Sequence, residues 1–294
     1  MKIAVTGGSG RIGRVLTRLL VGQQHEVVSI DRSVPDDVAL IARSAAMITS
    51  QSASSYANEP IRFVEDDLMD VNRVKSLFDG CHGVIHLAAI PTIRDQSVSQ
   101  VYINNTAASY NVLLACAELG IHKVCLASSI NAIGGIYSRQ PKYDYFPVDE
   151  QHPTYNEDAY SLSKWVLEAQ ADSFARRYED MTICSLRFHA MIPSKPGQVK
   201  RMGNFANISK DLWAYTNIVS GARACLMALQ AEFKGHEAFF ITAPQTAVET
   251  PSLELAQAHY PDVPVVGDLS GRNSFYSTQK AERLLGWKHE DLEI

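Results

Sequence analysis

Apolar residues fall in short runs along the first two-thirds of the chain, and most runs end in glycine, small or acidic residues. Ile3, Ala4 and Val5 read as a buried strand; Val15, Leu16, Leu19 and Leu20 follow at the spacing of one helical face. Further strands are predicted at Glu26–Ile30, Ile61–Val64, Gly83–Leu87, Lys123–Ala127 and Thr182–Arg187. Between them the pattern predicts helices over Asn72–Phe78, Ser97–Leu119, stopped by Gly120, and Asp158–Tyr178. Residues 33–60, rich in serine and alanine, predict a helix with a loose surface connection. Alternating strands and helices over residues 1–127 predict an α/β fold with a doubly wound parallel sheet, its ligand crevice at the carboxyl ends of the strands. From Phe188 the composition turns to proline and loops, with clear helices only at Ser220–Glu232 and Ser277–Leu285.

The first strand runs into Thr6-Gly7-Gly8-Ser9-Gly10, and Arg11-Ile12-Gly13 opens the first helix. A strand, a glycine turn and a helix N-terminus make a phosphate cradle, since backbone N–H groups and the positive end of the helix dipole face the anion. Gly7 permits the turn, Gly10 lets the backbone approach a pyrophosphate, and Gly13 lets helix and strand pack closely. The spacing is G-x-x-G-x-x-G rather than the commoner G-x-G-x-x-G. Asp31 ends the second strand, 18 residues beyond Gly13, where a carboxylate accepts hydrogen bonds from adenosine ribose hydroxyls. The same carboxylate repels a 2′-phosphate, so NAD is expected; Arg32 beside it leaves NADP as the lesser alternative. The expected division is a Rossmann-type nucleotide-binding domain over residues 1–187 and a smaller C-terminal substrate-binding lobe over residues 188–294.

Charge and cysteine usage narrow the partners. A formal net charge of -5 with no Lys/Arg cluster argues against a nucleic-acid surface. No apolar run is long enough to span a bilayer, and the cradle strand begins at residue 2, so neither membrane nor signal peptide is expected. The five cysteines (Cys81, Cys116, Cys125, Cys184, Cys225) contain no C-x-x-C pair and predict free thiols in a reducing, cytoplasmic setting. His82 and His86 are four apart, but the residues between them read as strand, and no metal site is expected.

Tyr160 and Lys164 lie one helical turn apart on one face. A free tyrosine has a pKa of about 10, a poor acid or base at neutral pH. A nearby ammonium favours the phenolate and brings the phenol toward acid–base chemistry. Ser129, at the end of the fifth strand, offers a hydrogen bond to a substrate carbonyl or alkoxide. Together with a nicotinamide cofactor these residues supply what hydride transfer at a carbinol carbon requires.

The combination resembles an extended short-chain dehydrogenase/reductase of the NAD-dependent epimerase/dehydratase group. The resemblance rests on the glycine turn, Asp31, Asp67-Leu68, His86-Leu87-Ala88-Ala89, Asn105, Ser128-Ser129, and Tyr160 with Lys164. It continues through Pro147-Val148-Asp149-Glu150, Leu186-Arg187-Phe188 and Lys280–Trp287, and so covers nearly the whole chain. It implies Tyr160 as catalytic acid/base, Lys164 as its partner and ribose ligand, and Ser129 as donor to the substrate oxygen. It further implies cofactor contacts from Gly7, Gly10, Arg11, Ile12, Gly13, Asp31, Arg32, Asp67, Leu68, Leu87, Ala88, Ala89, Asn105, Tyr160 and Lys164. The family often dimerises through the two helices predicted over residues 97–119 and 158–178.

Departures from the family pattern bear on the substrate. Ser129-Ile130-Asn131 stands where the dehydratases have Thr-Asp-Glu, so water elimination is not expected. Ala190 and Pro193-Ser194 replace the Asn and Gly-Pro usual after the Leu-Arg strand end. Trp213 aligns with an arginine that clamps the diphosphate of nucleotide sugars, and an indole lacks the guanidinium's forked charge. Lys195, Lys200, Arg201 and Lys210 are the cations nearby, none in an equivalent pattern. The expected substrate is therefore a free sugar, a sugar acid or another small hydroxylated molecule, with Ser129, Asn131, His189 and Trp213 as candidate contacts and Arg94, Tyr143 and Asp144 in bordering loops. A dehydrogenase is the first reading, a nucleotide-sugar epimerase with tightly bound NAD the alternative, and a silent NAD(P)-sensing protein the third.

Overall fold

The computed structural model describes residues 1–33, 61–91, 97–195, 199 and 208–292. The helix expected within residues 33–60, and Arg94, Lys200 and Arg201, lie outside the described residues.

Seven strands form one parallel sheet: β1 (Lys2–Thr6), β2 (Glu26–Asp31), β3 (Ile61–Glu65), β4 (Gly83–His86), β5 (Lys123–Ser129), β6 (Thr182–Phe188) and β9 (Gly235–Ile241), in the order β3-β2-β1-β4-β5-β6-β9. A short pair, β7 (Met191–Ile192) with β8 (Thr216–Asn217), stands apart. The helices among the described residues include α1 (Arg11–Gly22), α2 (Val71–Phe78), α3 (Val98–Glu118), α4 (Ala159–Arg177), α5 (Ile218–Gln230), α6 (Ser252–His259) and α7 (Gln279–Leu285). The strand order reverses between β1 and β4, and that switch opens a crevice at the carboxyl ends.

Both faces of the sheet are covered, so its strands carry apolar side chains on both sides. Ile3 and Val5 point into a cluster with Leu16 and Leu20 of α1, Leu226 and Leu229 of α5 and Trp287 after α7. Ala4, between them, packs on the other face with Val84, Val112 and Leu113 of α3, and Leu167 of α4. Side-chain caps fix where the helices start. Asp70 accepts from the N–H groups of Asn72 and Arg73, Asp158 from Ser161, and Asn217 from Val219 and Ser220.

The sheet layer does not stop at residue 187. β9 pairs with β6 from Thr182↔Gly235 to Phe188↔Ile241, and α5 and α7 fill the same face as α1. The C-terminal third thus contributes both to the sheet and to an aromatic core that includes Phe146, Trp213, Tyr215, Phe240, Phe275 and Tyr276.

Candidate active site

Register brings the chemistry to one edge. Thr6 of β1 pairs with Ile30 and His86, and Ser129 of β5 pairs with Phe188, so Gly7, Asp31, Leu87 and Ser129 emerge side by side. They border a cavity of ≈ 660 Å³.

At one end lies the glycine turn. Gly7 has φ +72°, and a Cβ there would sit 2.7 Å from Ala88 N, so neither the turn nor the close approach to β4 admits a side chain. A Cβ on Gly13 would lie 2.4 Å from the Gly7 carbonyl. Gly13 therefore packs α1 against the turn and does not itself line the cavity. No side chain caps α1, which leaves its first-turn N–H groups facing the cavity. Gly10, Arg11, Ile12, Asp31 and Arg32 line this end. Asp31 accepts from Ser9 N at 3.0 Å and Arg32 N at 2.8 Å, which fixes its carboxylate beside the turn. Asp67, Leu68, Leu87, Ala88 and Ala89 line the middle.

Tyr160, Lys164, Ser129 and Asn131 meet at the other end. The Asp158 cap places Tyr160 in the first turn of α4. The Ser129 hydroxyl lies near the Tyr160 phenol at this end of the cavity. Ser129 Oγ also accepts from Asn131 N at 3.1 Å and Asn131 Nδ2 at 3.3 Å. Lys164 Nζ donates to the Ala127 carbonyl at 2.6 Å and lies 5.8 Å from the centre of the Tyr160 ring. Burial lowers Lys164 from 10.5 to about 8, against the opposing pull of Glu168. The expected lowering of the phenol's pKa is not seen: burial raises Tyr160 well above 10, only partly offset by the nearby Ser129 hydroxyl. The phenol is protonated at neutral pH. His86, behind the trio, bonds Thr6 Oγ1 through Nδ1 at 2.7 Å, and burial, with Lys164 adding to it, pushes it down to about 3.

Several expected contacts lie elsewhere. Asn105 does not line the cavity: its Oδ1 accepts from Ile90 N at 2.8 Å, and its Nδ2 donates to the Ile90 carbonyl and to Ser163 Oγ, each at 3.1 Å. It ties the segment after β4 to α3 and α4, while its neighbour Asn104 lines the cavity. Trp213 is 1% exposed and packs on Phe275 and His259, in the aromatic core and away from the cavity. Burial of so large an apolar surface outweighs any gain from leaving it at a substrate site. His189 borders the cavity, but both ring nitrogens are engaged within the protein. Nδ1 accepts from Ala190 N at 2.6 Å, and Nε2 meets the carbonyl of Asp211 at 3.0 Å and its carboxylate. Tyr143 is buried in the aromatic core, and Asp144 accepts from the Tyr155 hydroxyl. Lys210 donates to the carbonyls of Ser138 and Arg139, and Lys195 approaches Glu249 at 3.9 Å.

Sequence reasoning passed over the walls of the reactive end: Pro91, Ile136, Tyr137 and Met191. Tyr137 packs edge-on against Tyr160 at 5.6 Å. No local pattern marks them: Pro91, Ile136 and Tyr137 reach the cavity from loops, and Met191 from the two-residue strand β7. The described helices include none long and apolar enough to cross a membrane.

A glycine cradle at the switch point of a parallel sheet, with a Ser–Tyr–Lys group in the same cavity, defines a dinucleotide-binding protein of the Rossmann class. The chain belongs to the NAD dependent epimerase/dehydratase family, whose sequence profile matches residues 3–205. It is 27% identical over 139 residues to cinnamoyl-CoA reductase 1 of Oryza sativa, covering 47% of this chain and 37% of that protein. The chain spans about half the length, or less, of the curated relatives it matches. Among solved structures, it superposes on a UDP-glucose 4-epimerase of Thermotoga maritima with a TM-score of 0.68 at 21% identity, covering 99% of this chain and 94% of that one. A mutated uronate dehydrogenase gives 0.66 at 20%, covering 99% and 82%. Its cofactor is NAD. The residues fit that group: the turn excludes side chains where a pyrophosphate approaches, and the Asp31 carboxylate stands beside it, where it disfavours a 2′-phosphate.

Proposed function

We propose that the chain is an NAD-dependent oxidoreductase of the dehydrogenase type, moving hydride at a hydroxyl-bearing carbon of a sugar, a sugar acid or a similar small hydroxylated substrate. The observation that carries this is the meeting of Ser129, Tyr160 and Lys164 in the same cavity as the glycine cradle. When bound, NAD supplies the hydride acceptor. Ser129 and Tyr160 together would hold the substrate oxygen; oxidation uses the Tyr160 phenolate, formed by loss of its proton to solvent, to take the substrate proton as the carbonyl forms, and reduction uses the phenol to return one. The Lys164 charge stabilises the transient phenolate and holds the cofactor's ribose, with Asp31 at the adenosine end.

Among the described residues lining the cavity, the cationic side chains are Arg11 and Arg32 at the turn and Lys164 at the trio. None of the described residues beyond Tyr160 offers a diphosphate clamp, and Trp213 is buried where one is usual. Both points support a substrate without a diphosphate. Epimerisation is the alternative, since the same trio serves a reaction that oxidises and re-reduces one carbon with NAD retained. The large apolar residues Val98, Ile103 and Tyr110 of α3 and Leu162 and Trp165 of α4 are exposed, which supports a homodimer built on these two helices.

The test supplies purified protein with NAD or NADP and with free aldoses, uronic acids and UDP-sugars, following nicotinamide absorbance and product NMR together. NADH accumulating with a free sugar or sugar acid is the expected result. An epimerised UDP-sugar without net NADH would establish the alternative.

A further inference from the structure

Tyr160, Lys164 and Glu168 stand four residues apart on α4, so the reactive face of the helix continues one turn into the protein. Glu168 is 6% exposed, and its carboxylate is fully engaged. Oε1 accepts from the Ser128 hydroxyl at 2.5 Å and from Arg187 Nε at 3.0 Å, and Oε2 accepts from Arg187 Nη2 at 2.8 Å. Ser128 precedes Ser129 on β5; Arg187 precedes Phe188, a cavity residue, on β6. One carboxylate thus joins two strand ends to the helix that carries Tyr160.

The same carboxylate answers a charge problem. Lys164 is buried, and the hydrogen-bond partner of its ammonium is the neutral Ala127 carbonyl. An ammonium buried in this way needs a counter-charge. From β4 it faces His86, which is uncharged, and on its own helix the protonated Tyr160. Arg187, from β6, opposes the field of Glu168 and is itself faced by Glu150 and Asp149 from the loop before α4. The charge at Lys164 is therefore set by burial, which lowers its proton affinity, and by Glu168, which opposes that and is itself paired with Arg187.

We propose that Glu168 is a positioning residue that keeps Lys164 charged and fixes the ends of β5 and β6 against α4. The proposal rests on the reading of Ser129, Tyr160 and Lys164 as the reactive group. A purely structural brace and an electrostatic one part company in sign. Removing the Glu168 carboxylate lowers the proton affinity of Lys164, whereas removing the Arg187 charge raises it.

The experiment is a ¹³C NMR titration of the lysine ε-carbons in the full chain, with the Lys164 signal assigned by its loss in Lys164→Met. The wild type is expected to titrate at about 8. Glu168→Gln should move the midpoint down by about one pH unit, a tenfold loss of proton affinity, and Arg187→Gln should move it up. Glu168→Gln strands a buried guanidinium and can fail to fold. In that event the comparison of Arg187→Gln with the Glu168→Gln/Arg187→Gln double variant reads the carboxylate alone, with the double variant lower by about tenfold in proton affinity. Equal midpoints in that pair, or shifts of one sign for both single variants, would overturn the proposal. Because the titration needs neither substrate nor turnover, it succeeds or fails separately from the oxidoreductase reading, which the absence of hydride transfer would refute.

Discussion

Burial holds Tyr160 as the phenol, the form that donates to an alkoxide in reduction; in the proposed oxidation it must give up that proton first. Tyr160→Phe keeps the ring and removes the proton. It should lower kcat by about 10²–10⁴ while NAD affinity, read by fluorescence quenching, changes little. Lys164 adds a pH dependence whose sign follows from its depressed value. Its charged form is lost as pH rises through about 8, so cofactor affinity and kcat should fall above that pH. Stability has the opposite trend. Between about 8 and 10.5 the unfolded chain binds this proton and the folded chain does not, so this residue's contribution to stability rises with pH over that window. Melting temperatures of wild type and Lys164→Met across that range check it: the wild type should gain relative to the variant. At this scale the sequence was legible where chemistry needs a fixed spacing. Gly7, Gly10, Asp31, Tyr160 and Lys164 belong to such patterns, and all of them border the cavity. Trp213 and Asn105 were not legible, because an alignment place says nothing of which way a side chain turns. The Tyr160 phenol ran against expectation for a similar reason: desolvation depends on the surrounding packing, which spacing does not encode.

α4 carries Tyr160 and Lys164 into the cavity, and its start is set by one side chain. Asp158 accepts from Ser161 N at 2.9 Å, which fixes the turn that holds Tyr160. Asp158→Ala should cost about 1 kcal/mol of stability, read by urea unfolding, and should lower kcat more than it lowers NAD affinity. At the other end of the cavity, α1 depends on Gly13. Gly13→Ala would drive a Cβ into the backbone of Gly7 and Gly8, so NAD binding should be lost while the distant aromatic core stays folded, as read by near-ultraviolet circular dichroism. Among the described residues, the strands and helices expected up to Arg187, with helices α5 and α7, were legible to within about two residues, since their apolar positions repeat at periods of 2 and 3.6, while α6 and the β7–β8 pair were not expected. The Asp158 and Ser97 caps lie where the helices were expected to begin. Less legible was β9, whose Gly235–Ile241 run follows α5 in a stretch expected to build a separate lobe. Its place in the main sheet follows from pairing with β6, a contact that no local pattern announces.

For the whole molecule, the parallel sheet sets its strand ends along the cavity, and the aromatic core formed largely by later residues packs with Ile130 and Ile136 of the cavity wall. That division explains why cofactor and proton chemistry are readable while the substrate is a proposal: the former sit on regular elements, the latter among loops. The exposed apolar faces of α3 and α4 should pair in solution, and light scattering should return twice the chain mass. Ile103→Glu together with Trp165→Glu should return the monomer. The measurement that bears most directly on the central claim is NADH formation by wild type and Tyr160→Phe with a panel of uronic acids and free aldoses. The account predicts NADH accumulating with at least one of them in the wild type and a loss of about a hundredfold or more in the variant. A wild type that epimerises a UDP-sugar without net NADH, or a variant as active as the wild type, would contradict it.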